Sequence, residues 1–230
     1  MELSELPRKP RSCPTEVEGS WNRFVATRES VSELFAAFNE QRARQTNPQG
    51  PIHEKHKDLA RAAIVFTAAG IDACLRTLLR SCLAVLLRED GAAHGAFVKH
   101  FQEGERLRGD LTKATKEAIV ALDPRAALID LYVTDLTGSS IQGWKDLRGC
   151  RNALGISGNA LTDEALKTHQ DFFDARHEVV HELDLVEPAG KGTRSRRPRD
   201  VREVGRQCDE ALLLINDFIA PAAKAVRASG

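Results

Sequence analysis

Between Leu59 and Leu87 the chain carries apolar residues at helical spacing for roughly eight turns. Leu59, Ala63, Phe66, Ala73, Leu78, Cys82 and Val85 or Leu86 trace one face, with Arg61, Arg76 and Arg80 largely off it. A helix of that length with a continuous apolar face has to be covered by other helices, so this run alone calls for a bundle. Arg61, Asp72, Arg76 and Arg80 interrupt it too often for it to read as a membrane span. Gly91 ends it.

The rest of the 230 residues fits an all-α reading. Aromatic residues make up only 5%, so the core has to be built from Leu, Val, Ile and Ala, which suits packed helices better than a sandwich or barrel. The proline-containing start, to Gly19, reads as a mobile lead-in, and residues 20–226 as one helical domain. From Trp21 a helix carries Phe24, Val25, Val31, Leu34, Phe35 and Phe38, and Gln45–Pro51 breaks it. Shorter helical patterns cover Ala92–Phe101 and Leu111–Leu122. Asp123 is placed to cap a helix with Pro124 at its first position. Leu128–Val133 is the one stretch that would also suit a strand, and helix is the preferred reading. Ser139 or Ser140 should cap a helix bearing Ile141, Trp144, Leu147 and Cys150. Thr162, with Asp163 and Glu164 in the first turn, should cap a helix running through Leu183. A Gly/Pro/basic loop (Pro188 to Pro198) follows, then an amphipathic helix with Val201, Val204, Cys208, Leu212, Ile215, Phe218 and Ile219 on one face.

Formal net charge is zero, so contact with a polyanion would have to come from a local patch. The five cysteines form no CxxC pair and are odd in number, which points to a reducing compartment rather than a disulfide framework. The first twenty residues lack the apolar core of a signal peptide, and the expected location is cytoplasmic.

Chemistry concentrates in Phe172-Phe173-Asp174-Ala175-Arg176-His177-Glu178-Val179-Val180-His181-Glu182-Leu183. Helical geometry turns Arg176 toward the stripe of Phe172, Val179, Val180 and Leu183, and puts His177 and His181 one turn apart along its edge. A guanidinium there cannot lose its charge and needs a carboxylate, a carbonyl or an anion. An Arg that holds a phosphate and a His that moves a proton are the minimum for cleaving RNA through its own 2′-hydroxyl, with no metal or other cofactor required.

Arg176-His177-Glu178-Val179-Val180-His181 resembles the signature of the HEPN family, helical bundles marked by Arg, four to six residues, then His, often with a polar residue directly after the Arg. The long helix around Phe66–Asp72, the Trp144–Leu147 helix and the final amphipathic helix fall in the order such domains show. The resemblance implies an HEPN-like bundle, dimerisation that brings two motifs into one cleft, and metal-independent endoribonuclease activity. Arg176 would bind the scissile phosphate, His181 would be the acid/base, and His177 would orient them. It further implies RNA and a second copy of the chain as partners, with an antitoxin or regulator where such domains act as bacterial toxins or phage-defence effectors. One subgroup carries a Tyr two positions after the His; Leu183 stands there.

Two other readings use the same residues. His177-Glu178-Val179-Val180-His181 is formally HExxH, in which two His share a zinc ion and Glu178 is the base, with Glu203 a candidate third ligand. Alternatively, Arg176 pairs with a buried acid such as Asp72 and the domain is a non-catalytic binding or dimerisation module. The basic cluster Arg194, Arg196, Arg197 and Arg199 is placed to guide an RNA backbone.

Overall fold

A computed structural model describes the chain apart from residues 48, 104–110, 188–194 and 230, and the side chain of Glu103. The fold is all-α. Among the described residues the only β pairing is an isolated antiparallel bridge, Leu185 to Arg196.

Two long helices form the frame. Helix α1 (Thr15–Ala43) and helix α2 (Glu54–Leu86) run antiparallel, as a series of contacts shows. The Cys82 thiol reaches the Glu16 carbonyl, Ser20 Oγ donates to the Cys74 carbonyl, and Thr27 lies against Gly70. The last pair marks the closest approach: a methyl at Gly70 would overlap the Thr27 side chain, so glycine lets the two backbones meet. Helix α9 (Val201–Ala228) packs on both and buries Val204, Cys208, Leu212, Ile215, Phe218 and Ile219. Each of these belongs to the apolar face expected for the last helix.

The opposite side of α2 is covered by shorter elements. These are α3 (Ala92–Glu103), α4 (Lys113–Ile119), α5 (Pro124–Thr137), α6 (Trp144–Leu154), a 3₁₀ turn (Asn159–Leu161), α7 (Asp163–Lys167) and α8 (Gln170–Glu182). Leu128–Val133 is helical within α5; Asp123 Oδ1 accepts from the Ala126 amide and Pro124 takes the first position, as anticipated. Phe97, Phe101, His100 and Tyr132 form an aromatic cluster between α3 and α5.

Five details differ from the sequence reading. The first helix begins at Thr15, and the segment before it is strapped to the bundle: the Ser4 amide and hydroxyl both donate to Asp209 of α9, and Arg227 reaches the carbonyl of Arg11. On α2 Ala63, Leu78, Cys82 and Leu86 are buried as expected, but Ile64, Thr67, Ala68 and Ile71 also point inward while Phe66 is about half exposed. Arg61, expected off the face, is buried because an acid waits for it. Neither Ser139 nor Ser140 caps α6, whose N-cap is Gly143 with no side-chain cap. Thr162 does cap, accepting from the Ala165 amide, but the helix it starts stops at Lys167 and α8 begins anew at Gln170.

Candidate functional site

Helix α8 is held by Phe172, Phe173 and Ala175, all buried, with the two phenyl rings edge to face at 5.4 Å. That anchorage fixes which residues are left outside. His177 and His181 are exposed on the same flank, ring centroids 4.6 Å apart. Val180, Leu183 and Val186 are exposed apolar side chains beside them.

Arg176 is half-buried on the adjacent flank. Its Nη1 is shut off from water and has no hydrogen-bond partner. Asp72, the acid that could have neutralised it, is committed elsewhere: its carboxylate accepts from the Ile141 amide at 2.8 Å and pairs with Arg76 at 3.3 Å. A buried guanidinium N–H without an acceptor is a cost to the fold and an attraction for an anion.

Glu178 and Glu182 are held in ion pairs. Glu178 pairs with Arg199 at 2.7 Å and Arg197 at 3.3 Å, and Glu182 pairs with Arg197 at 2.7 Å. Arg196 pairs with Asp58 on α2. Of the four basic residues proposed for an RNA backbone, Arg196, Arg197 and Arg199 are therefore engaged in ion pairs within the fold, and Arg194 lies outside the described residues. The loop they belong to is pinned at its base, where the Val186 amide donates to the Ser195 carbonyl and the Arg197 amide to the Asp184 carbonyl.

The centre of this network was invisible in the sequence. Asp184 is fully buried and accepts from Arg61 Nε at 2.6 Å and from Arg199 Nη2 at 2.6 Å. Leu183 and Asp184 both adopt left-handed backbone, φ 51° and 58°, and the Asp184 amide closes α8 by donating to the Glu178 carbonyl. Two consecutive non-glycine residues in that region cost about 1–3 kcal/mol each and persist only where the surroundings enforce them. Here the enforcing groups are Arg61 and Arg199. The only sequence signal was that Arg61 interrupts the apolar run from Leu59 to Leu87, which does not say which acid would meet it.

For a metal the arrangement offers two imidazoles. Glu178, the base that the zinc reading needs, is held by two guanidiniums, and Glu203 pairs with Arg206. Among the described residues no group of three or more His, Cys, Asp or Glu is placed to hold an ion. The cysteines are unpaired, and burial pushes the thiols of Cys74, Cys82, Cys150 and Cys208 up to about 12, so at neutral pH they are not nucleophiles. Helix α2 is, by length and composition only, long and apolar enough to cross a membrane, yet 56% of its most apolar window is buried inside the bundle.

Comparison of the chain with family models, with curated proteins and with solved structures returned no match.

Proposed function

We propose that the chain is a metal-independent endoribonuclease of HEPN type, with Arg176 as the phosphate-binding group and His181 as the acid/base. The observation that carries this reading is the unpartnered, water-excluded Nη1 of Arg176 on the same helix as two exposed imidazoles whose rings adjoin. Arg196, Arg197 and Arg199 each pair with a carboxylate, whereas among the described residues Arg176 pairs with none.

In the proposed step the 2′-oxygen of the RNA attacks the neighbouring phosphorus while an imidazole takes its proton. The P–O5′ bond breaks and the leaving oxygen is protonated, leaving a 2′,3′-cyclic phosphate and a 5′-hydroxyl. Arg176 would neutralise the charge that builds on the phosphoryl oxygens. His177, in ring contact with His181, would orient it or serve as the second proton carrier.

One helix does not complete the site by itself. Five residues of α-helix separate Arg176 from His181 by about 140° around the axis, so the two side chains leave α8 in diverging directions. A second copy that docks α8 against α8 would let one chain's Arg176 face the other's His181, and the exposed Val180, Leu183 and Val186 supply apolar surface for such contact. A homodimer, cytoplasmic and restrained by a regulator or antitoxin, belongs to the same reading. The test is cleavage of a structured RNA by purified protein in excess EDTA. Cleavage that is lost in both Arg176→Ala and His181→Ala supports the assignment; no cleavage by the unaltered protein moves it to the non-catalytic binding module.

A further inference from the structure

The turn that joins α1 to α2 holds two further buried nitrogens without partners, Gln45 Nε2 and His56 Nδ1. Arg42, in the last turn of α1, points its guanidinium into the turn and donates to Gln45 Oε1 and to the carbonyls of Gly50 and Pro51. No carboxylate among the described residues neutralises it. Because a guanidinium only donates, Arg42 fixes which end of the Gln45 amide it meets. The other end, Nε2, is shut off from water and has no acceptor.

Across the turn stands His56, 5% exposed, whose Nδ1 is likewise buried and unpartnered. Gln45 and His56 line one open cavity of about 550 Å³ together with Arg44, Thr46, His53 and Lys55. Small-molecule pockets span roughly 300–1,000 Å³, so there is room for more than a bare ion. The start of α2 adds the positive end of a 33-residue helix. The nearby acids are taken, Glu40 by Arg44 and Glu54 by Lys57 and Arg61. Burial, then the charges of Lys55, His53 and Arg42, hold the His56 imidazole below its ordinary pKa, as a site of uncompensated positive potential would.

We propose that this cavity binds a phosphate monoester, with Gln45 Nε2 and His56 as the buried polar contacts and Lys55 and His53 at the rim. A hard cation is not the fit, because no carboxylate lines the cavity. The inference does not rest on the ribonuclease reading, since none of its residues belongs to α8.

The test uses the full-length protein and follows the imidazole and Gln side-chain amide signals by NMR during titration with inorganic phosphate, then glycerol 3-phosphate, with glycerol as control. Saturable shifts at His56 and Gln45 with both phosphates and not with glycerol are the expected result. Lys55→Glu, a change at an exposed residue, should weaken binding about tenfold or more, and Arg176→Ala should leave it unchanged. An oligodeoxynucleotide with a 5′-phosphate, compared with its 5′-hydroxyl form, separates the two sources: preference for the phosphorylated strand assigns the group to a nucleic-acid end, and equal response with retained glycerol 3-phosphate binding assigns a free ester. Static His56 and Gln45 signals at saturating phosphate, or binding abolished by Arg176→Ala but not by Lys55→Glu, would overturn the proposal.

Discussion

Arg61 on α2 and Asp184, two residues beyond α8, meet at 2.6 Å with the arginine 5% exposed and the aspartate fully buried. Removing one member of such a pair leaves a desolvated charge, which typically costs about 3–5 kcal/mol. Asp184→Ala is therefore expected to destabilise the fold by about that amount in urea denaturation. The loss should exceed that of Asp184→Asn, which keeps a hydrogen-bond acceptor for Arg61 and Arg199.

Arg176 carries the opposite expectation. Its buried N–H has no partner to lose, so Arg176→Ala should leave the melting temperature unchanged or slightly raised while RNA cleavage falls by at least about a hundredfold. His181→Ala, at an exposed position, should behave alike. Mixing the two inactive variants tests the composite cleft: heterodimers restore one complete site, so activity should partly return. Analysis of product ends should show 2′,3′-cyclic phosphates.

Glu178 separates two chemistries that share its helix. As a partner of Arg197 and Arg199 it is structural, and Glu178→Gln should lower stability by about 1–3 kcal/mol while cleavage in EDTA persists once temperature is adjusted. A zinc hydrolase would instead lose all turnover with that change and would bind zinc in stoichiometric amount. Elemental analysis of the same sample reads the second outcome directly.

His169, at the N-cap of α8, has its pKa lowered from 6.5 chiefly by burial, which Glu210 opposes, and His56 is lowered as well. Above about pH 6.5 both imidazoles are neutral folded or unfolded, and they place no demand on stability. As pH falls below that value the unfolded chain takes up protons that the folded chain resists, so stability declines with acid. Melting temperature measured from pH 8 to pH 5 should drop, and His169→Gln should flatten the slope.

Two glycines of the same helix, one at its C-cap and one at its middle, should respond with opposite signs. Gly155 closes α6 at φ 62°, and a methyl there would collide with the Ala93 backbone. Gly155→Ala is expected to cost about 1–3 kcal/mol. Gly149 lies within α6 with open space where a Cβ would be, so Gly149→Ala should gain about 0.5–1 kcal/mol. Chemical denaturation of both variants checks the pair.

What the residues disclosed and what they hid follow from the range of the forces involved. The last helix and the Asp123–Pro124 start of α5 were legible because periodicity and capping are local. The exposure of Phe66 on α2 was not, because Phe66 is as apolar as Ile64 and only the position of α1, with Gly70 against Thr27, decides between them. The break between α7 and α8 was hidden by unbroken helix formers on either side of Thr168 and His169. The placement of His177 and His181 one turn apart on a helix was legible, while the pairing of Arg196, Arg197 and Arg199 was not. An arginine-rich loop looks the same in one dimension whether its partners are phosphates or the protein's own carboxylates.

The Arg61–Asp184 contact joins residues 123 positions apart, and Arg199 closes on the same carboxylate. Contacts of such sequence separation form only after the intervening chain has been gathered in. Until then nothing enforces the left-handed pair at Leu183 and Asp184, and the end of α8 bearing His181 has no fixed exit. A nascent or half-folded chain thus carries the motif without the machinery. On the proposed ribonuclease reading, the ion pair acts as a clock: cleavage would begin only once the molecule around the motif is finished.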